Sequence, residues 1–460
     1  MQTNMMRDDA RVQEAIMQVR LEQSIPLNDA YQVIVIGGGP TGCAAATAAA
    51  RSGAKTLLIE ASGVLGGMGT QGLVPCWCPF SDKQRVIYAG IAQEVFESTK
   101  AAMPHIAPTD VDWVAIDVEV LKRVYDRLVT GAGADILFQT FVAGIQMDGE
   151  RVDYIIAGNK SGLTAYRAPV FIDCTGDADL VAHAGLPFEY GDPVGHDVQP
   201  STHCFTVSNV DEYAYATGPK MHMSRKDCPI YDIVSDPAFP LVTDGHSCNS
   251  LVGPRTVGFN AGHLWKVNAT DPMSLSKAIV DGRELAYQLH EGLKKYFPSA
   301  FGASFLVTTA SVLGTRESRR IIGDYALTLD DYMQRRSFPD EIGRNNYFID
   351  VHIPVEVREK VNAGEISEEA GFARYGEGES HGIPYRCLLP KGLSNVLVAG
   401  RTISCDRDVQ GSVRVMPVVL VMGQAAGTAA ATAVQAGCDP RGVDVPALRA
   451  KLREDGAYLP

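Results

Sequence analysis

One run near the start of the chain constrains the fold more than any other: VIVIGGGPTGCAAATAAARSGAKTLLIE, residues 33–60. A short apolar stretch enters Gly37-x-Gly39-x-x-Gly42, an Ala-rich helical stretch follows, and a second apolar stretch ends in Glu60, 23 residues after Gly37. A bare GxGxxG is a weak signal in a chain holding 45 glycines. Leaving a strand, opening a helix and closing on an acidic strand tip, it becomes the βαβ fingerprint of dinucleotide binding. Each residue type has a physical task. Gly37 permits the tight turn, Gly39 lets backbone approach a diphosphate, and Gly42 lets helix and strand pack closely. The helix start offers unpaired N–H groups and a positive dipole end. Glu60 accepts hydrogen bonds from ribose hydroxyls and repels a 2′-phosphate.

NAD, NADP and FAD share this fingerprint, and Glu60 disfavours NADP. Three further segments favour FAD. A second Gly-rich loop, LGGMGT, spans 65–70; VFIDCTGD at 170–177 is an apolar strand into a Thr-Gly turn; LVAGR at 397–401 is another. No second fingerprint is evident, because Gly131-Ala-Gly133 and Gly376-Glu-Gly378 lack both the third glycine and the context. A dedicated NAD(P)H domain is therefore not expected, and electrons must enter or leave through the substrate, oxygen, a quinone or a carrier protein.

The balance of residues fits a soluble protein with an ample core: 46% hydrophobic and 21% charged. A net charge of −13 opposes a nucleic-acid footprint. The N-terminus lacks a secretory apolar core, and the ten cysteines fall into no disulfide framework, so a cytoplasmic location with reduced thiols is expected. Residues 415–437 carry no charge, but Pro417, Gly423, Gln424 and Gln435 argue for a buried small-residue helix, not a membrane span.

Helical spacing predicts helices over 11–24, 40–52, 116–132, 273–297, 418–435 and 445–456, with strands at 31–36, 55–60, 135–147, 152–158, 164–172 and 395–399. The 116–132 helix would bury Ile116, Val120, Val124, Leu128 and Val129. Between about 190 and 390 the texture changes to Pro, Gly, Tyr, His and Asp. The expected class is α/β, a Rossmann-like FAD-binding domain with an inserted α+β substrate domain. Its parts would be an extension at 1–29, the FAD domain at 30–190 and 391–460, and the substrate domain at 191–390.

Four further motifs carry a resemblance: GGMGT (66–70), GTRESRRI–GDYALT (314–328), IPYR–LLPKG (383–392) and LVAGR–GSVRVMP–GQAAGTAAA (397–431). With them the chain resembles the FAD-dependent oxidoreductases of the glutathione-reductase structural superfamily, closest to a large bacterial family. The resemblance implies that Gly37, Gly39, Pro40, Thr41 and Gly42, with Glu60 and Ala61, hold the ADP half of FAD. Gly67, Met68, Gly69 and Thr70 would lie along the pyrophosphate and flavin, and Val142 near the adenine. Thr175, Gly176 and Asp177 would form a second conserved turn, with Gly400, Arg401, Gly411, Ser412 and Val413 on the ribityl–flavin side. Many members carry Asp where this chain has Arg401, so that ribityl contact does not transfer and Arg401 is expected at the pyrophosphate. The helix after Pro417 would aim its N-terminus at the flavin pyrimidine ring and stabilise negative charge there.

The function expected is hydride transfer between flavin N5 and a small-molecule substrate, in a possible homo-oligomer, with the electron partner open. His381 is the candidate general acid or base and Arg386 the candidate partner for a substrate carboxylate or carbonyl. His203, His263 and His352 are weaker rivals. Arg316, Glu317, Arg319 and Arg320 read as an ion-paired network at a domain junction, with anion recognition the alternative. Cys76-Trp77-Cys78 reads as two ordinary thiols, since a CxC bridge is strained, and no metal site is expected. Two alternatives remain: a flavin component of a larger electron-relay or RNA-modifying assembly, and an NAD-dependent dehydrogenase without flavin. Acidic charge opposes RNA, and the lack of iron–sulfur spacing opposes a relay.

Overall fold

The computed structural model describes residues 20, 22–192, 197–222, 224, 225, 227–352 and 374–460. Five parallel strands form its centre, in the order Val396–Val398, Val170–Asp173, Val33–Ile36, Thr56–Ile59 and Asp135–Leu137. The first four are buried at every position, because both faces of the sheet are covered. Val33 and Val35 point to the helices Pro40–Arg51 and Met416–Ala436. The alternate residues Ile34 and Ile36 join Leu57, Ile59, Phe171 and Val398 against Val152, Ile155, Ala157 and Tyr166. Those last four belong to an antiparallel layer built from Phe141–Asp148, Arg151–Asn159 and Gly162–Tyr166.

The uncharged stretch near the C-terminus is the helix Met416–Ala436, starting with Pro417 in its first turn. It is long and apolar enough to cross a bilayer, yet 89% of its most apolar window is buried inside the protein. Small residues let it lie directly on the fingerprint helix. A methyl group on Gly427 would press on the Ala45 carbonyl, and one on Gly423 would meet the Ala44 side chain at 2.9 Å.

A second core is separate from the first. It combines the antiparallel sheet Ser247–Gly253, Thr256–Ala261, Phe205–Ser208, Phe305–Thr309 with the helix Pro272–Tyr296, and its buried residues run from Phe205 to Phe301. Residues beyond it, such as Tyr332, Ile342, Ile383 and Tyr385, pack into the first core.

Several sequence expectations change in detail. The helix expected at 116–132 is Val118–Gly131, capped by Asp117, and it buries Leu121 and Tyr125 with Leu128 and Val129. The strand at 135–147 breaks around Gln139, whose N–H bonds the Ser62 carbonyl across the turn. The strand at 164–172 breaks before Val170, where Pro169 has no N–H for a ladder. Of the helix expected at 11–24, residues 11–19 and 21 lie outside the described residues, and residues 20 and 22–24 are not helical.

Candidate functional site

Three turns converge at the carboxyl ends of the central strands. Gly37 has φ +95° and packs so tightly on the Cys174–Thr175 backbone that a methyl there would meet the Thr175 Cα at 2.9 Å. Gly400, at φ +102°, rests on Thr41, and the Gly176 backbone touches the Arg401 guanidinium. These positions come from Val33–Ile36, Val170–Asp173 and Val396–Val398, which are neighbours in the sheet. The loop at 66–70 covers the fingerprint turn: Gly66 N–H donates to the Gly38 carbonyl at 2.8 Å. Gly69 in that loop reaches the Met416 side chain, so the loop bridges the starts of the fingerprint helix and the Met416–Ala436 helix.

Both of those helix starts lack a side-chain cap. Among the described residues, the other helices of ten residues or more are capped, by Asp117, Asp271 and Asp444, or by Gln424 reaching Ile91 N–H. First-turn N–H groups need partners. At the fingerprint helix the N-cap is Gly39, and the space where its side chain would stand is open for 4 Å. An open cradle over uncapped N–H groups fits a diphosphate.

Glu60 is half-buried at the strand tip, its carboxylate accepting from Gly38 N–H at 2.7 Å and Ser62 N–H at 2.8 Å. Ala61 beside it is exposed. Val142 is the second residue of the strand Phe141–Asp148, which follows the turn that hydrogen-bonds the Glu60 carbonyl through Thr140 N–H. Met68 is half-buried, and the Thr70 hydroxyl donates to the Leu65 carbonyl at 2.6 Å, fixing the loop. Thr175 donates to Asp173, whose carboxyl burial pushes up to about 6. Gly176 and Asp177 complete that turn, but their acceptors serve Arg401. Its guanidinium donates to the Gly176 carbonyl at 2.6 Å, the Thr315 carbonyl at 2.6 Å and Asp177 at 2.8 Å. Arg401 thus locks two turns together; the diphosphate contact expected of it is not what these donors serve. Gly411, Ser412 and Val413 lie in the short helix Arg407–Val413 and are buried; the Ser412 hydroxyl is held between Asn345 and the Tyr347 carbonyl.

The two residues expected to do the chemistry stand elsewhere. His381 has no exposed surface; its Nδ1 bonds the Tyr375 hydroxyl, and its Nε2 has no partner among the described residues. Burial, with Arg344 nearby, drives it down to about 3. Arg386 is partly exposed, paired with Asp340 at 2.8 Å and stacked over Tyr325. The 316–320 cluster is an ion-paired network, with Glu317 held by Arg320 at 2.6 Å and Arg407 at 3.1 Å.

A different polar cluster lies against the start of the Met416–Ala436 helix. Asp244 Oδ2 is 3.0 Å from His263 Nδ1, His263 Nε2 is 2.9 Å from His352 Nδ1, and His352 Nε2 is 3.4 Å from Asp350. His246 stacks on His263 with ring centres 4.3 Å apart, and its Nε2 accepts from Arg316 at 3.1 Å. Arg414, two residues before Met416, donates to the Asp350 carbonyl at 2.9 Å and lies 3.6 Å from its carboxylate. Burial lowers all three imidazoles, His352 to about 3, with Arg316 adding to the effect. Burial alone would raise Asp350, but His352, Arg414 and Arg316 hold it well below the carboxylate range. The ring nitrogens lie within 4.8 Å of one another, a spacing a metal also accepts, yet the guanidinium of Arg316 opposes a second cation there. His263 and His352 had appeared in the sequence only as weaker rivals; His246 and the two aspartates carried no local signal.

Residues 32–452 match the family described as FAD dependent oxidoreductase. A digeranylgeranylglycerophospholipid reductase of Methanocaldococcus jannaschii is 28% identical over 137 residues, 28% of this chain and 34% of the relative, so the match spans about a third of that relative's length. Among solved structures, a geranylgeranyl bacteriochlorophyll reductase-like protein of Thermoplasma acidophilum aligns at TM-score 0.44 and 14% identity, over 93% of this chain and 83% of that one. A p-nitrophenol 4-monooxygenase of Pseudomonas putida aligns at 0.41 and 11%, over 94% and 86%.

Proposed function

The chain belongs to the FAD dependent oxidoreductase family, and we propose that it moves a hydride between flavin N5 and a small organic substrate while the Asp244–His263–His352–Asp350 line handles the substrate's proton. It is a flavin-dependent oxidoreductase with FAD as cofactor. When bound, FAD supplies the two-electron chemistry. The glycine turns and the loop at 66–70 would hold it, with its diphosphate at the start of the Pro40–Arg51 helix and its ring toward the Met416–Ala436 helix. The second core acts as the inserted substrate domain of a glutathione-reductase-type architecture. Val170–Asp173 and Val396–Val398, which pair in one sheet, flank that core in sequence and support the insertion.

The observation that carries the proton-handling role is a count. Four groups make three contacts in line. Two neutral imidazoles bring two N–H protons, and both carboxylates are ionised, so one contact lacks a proton and the line accepts one. Burial keeps the rings neutral at neutral pH, so a ring-nitrogen lone pair is free to take a proton, and the lowered proton affinity makes the line hand it on readily. This role, anticipated for His381, suits His263 and His352 better because His381 is sealed in the core.

Anaerobic mixing with sugars, hydroxy acids, amines and unsaturated acids, followed through the flavin's visible absorption band, identifies the reacting class. With that substrate, His352→Gln should slow the reaction by about 10²–10⁴-fold at unchanged FAD affinity. A variant as fast as the parent at every pH would remove the line from the reaction.

A further inference from the structure

Two sulfurs, one of buried Cys76 and one of half-buried Cys248, meet beside this cluster. Cys76 lies on the run of chain that leaves the loop at 66–70, held there by the Val74–Met68 and Ile116–Pro75 backbone bonds. Cys248 stands on the strand Ser247–Gly253, two positions after His246, which leads into it. They are 172 positions apart in sequence, and their Sγ atoms are 3.6 Å apart in a hydrogen bond. All ten cysteines are free thiols, and this is the one sulfur–sulfur hydrogen bond among the described residues.

The two sulfurs are not equivalent. The bond to Cys248, together with burial, pushes the Cys76 thiol well above its ordinary range. The same bond draws Cys248 below it, with Arg316 helping, against burial and the charge of Asp350. Either sulfur can donate in this bond, so the two thiols share it and one is held ready to lose its proton. Thiolate is the form that enters sulfur redox chemistry, and a low-pKa thiolate beside a second thiol is the arrangement that oxidises to a disulfide. Closing the pair to about 2.05 Å asks the sulfurs, 3.6 Å apart, to approach by about 1.5 Å.

We infer that Cys76 and Cys248 form a redox pair that exchanges two electrons with the bound FAD. In the forward direction both S–H bonds break and one S–S bond forms. The two electrons and two protons released pass to the oxidised flavin, which becomes its fully reduced form. In the reverse direction reduced flavin cleaves the disulfide and returns the protons to sulfur. The pair gives the protein an internal electron store, in a chain whose sequence shows no second nucleotide fingerprint. The inference rests on FAD as cofactor and not on the histidine–aspartate line.

The test is an anaerobic dithionite titration of the FAD-loaded protein after oxidation with diamide, read alongside peptide mapping under non-reducing conditions. The parent should take up four electrons per FAD, two for the flavin and two for the disulfide couple, and yield a peptide linking residues 76 and 248. Cys248→Ser and Cys76→Ser should each take up two and yield no link. A parent that takes up two electrons overturns the inference, whether the cysteines map as free thiols or as a disulfide, because in the second case the bridge forms without exchanging with flavin. Four-electron uptake surviving in both variants overturns it as well. No substrate is present in the titration, so its failure is distinct from failure of the hydride-transfer reading.

Discussion

Replacing Gly39 and Gly42 separately by alanine distinguishes a turn that merely packs from one that receives a diphosphate. At Gly42 the added methyl would overlap the Gly37 carbonyl oxygen and lie 2.9 Å from its carbon. Backbone must move, so Gly42→Ala should cost about 1–3 kcal/mol of stability with or without cofactor. At Gly39 the methyl meets nothing within 4 Å, and the residue has φ −67°, which alanine adopts freely. The apo protein should therefore keep its stability to within about 0.5 kcal/mol. The space that methyl fills is the space assigned to the diphosphate. Loss of close approach to the first-turn N–H groups should weaken FAD by about 100-fold or more, near 2.7 kcal/mol. Urea unfolding of the apo forms gives the first quantity, and quenching of flavin fluorescence on titration gives the second. A Gly39→Ala protein that binds FAD as tightly as the parent would refute the cradle.

Glu60→Gln removes a charge from an acceptor that already holds two N–H groups; FAD affinity should fall by about 10-fold, read in the same fluorescence titration, and an unchanged affinity would place the ribose elsewhere. His352 and His381 sit near 3 in the folded state, below the unfolded value of about 6.5. The folded state therefore binds fewer protons, so their stabilisation is complete above pH 6.5 and is lost as pH falls toward 3. Between pH 7 and pH 5 each should withdraw about 2 kcal/mol, seen as a lower urea midpoint that His381→Gln flattens; a midpoint independent of pH would contradict their burial as neutral rings. Dialysis against a chelator should leave FAD content and turnover unchanged, since Arg316 stands at the three histidines. A stoichiometric ion whose removal abolishes turnover would reassign them to a metal.

The nucleotide half was legible because its information is local. A strand, three spaced glycines, a helix and an acidic tip occupy residues 33–60, and short-range geometry makes each residue type necessary at its place. The helix Met416–Ala436 was legible for a similar reason, its small residues and Pro417 being visible without knowing what lies beside them. Tertiary structure alone decided the chemistry beside it. His246, His263 and His352 come from both edges of a hairpin and from a segment 89 residues beyond His263, and Cys76 meets Cys248 across 172 positions. No spacing rule links such residues, because the packing of the second core against the first brings them together. Burial then separated roles that look alike in sequence. His381 and His352 are both imidazoles in polar segments, yet one is sealed against Tyr375 and the other joins a line of polar contacts between two carboxylates. A side chain's proton affinity is set by what surrounds it in three dimensions, and that surrounding is written nowhere along the chain.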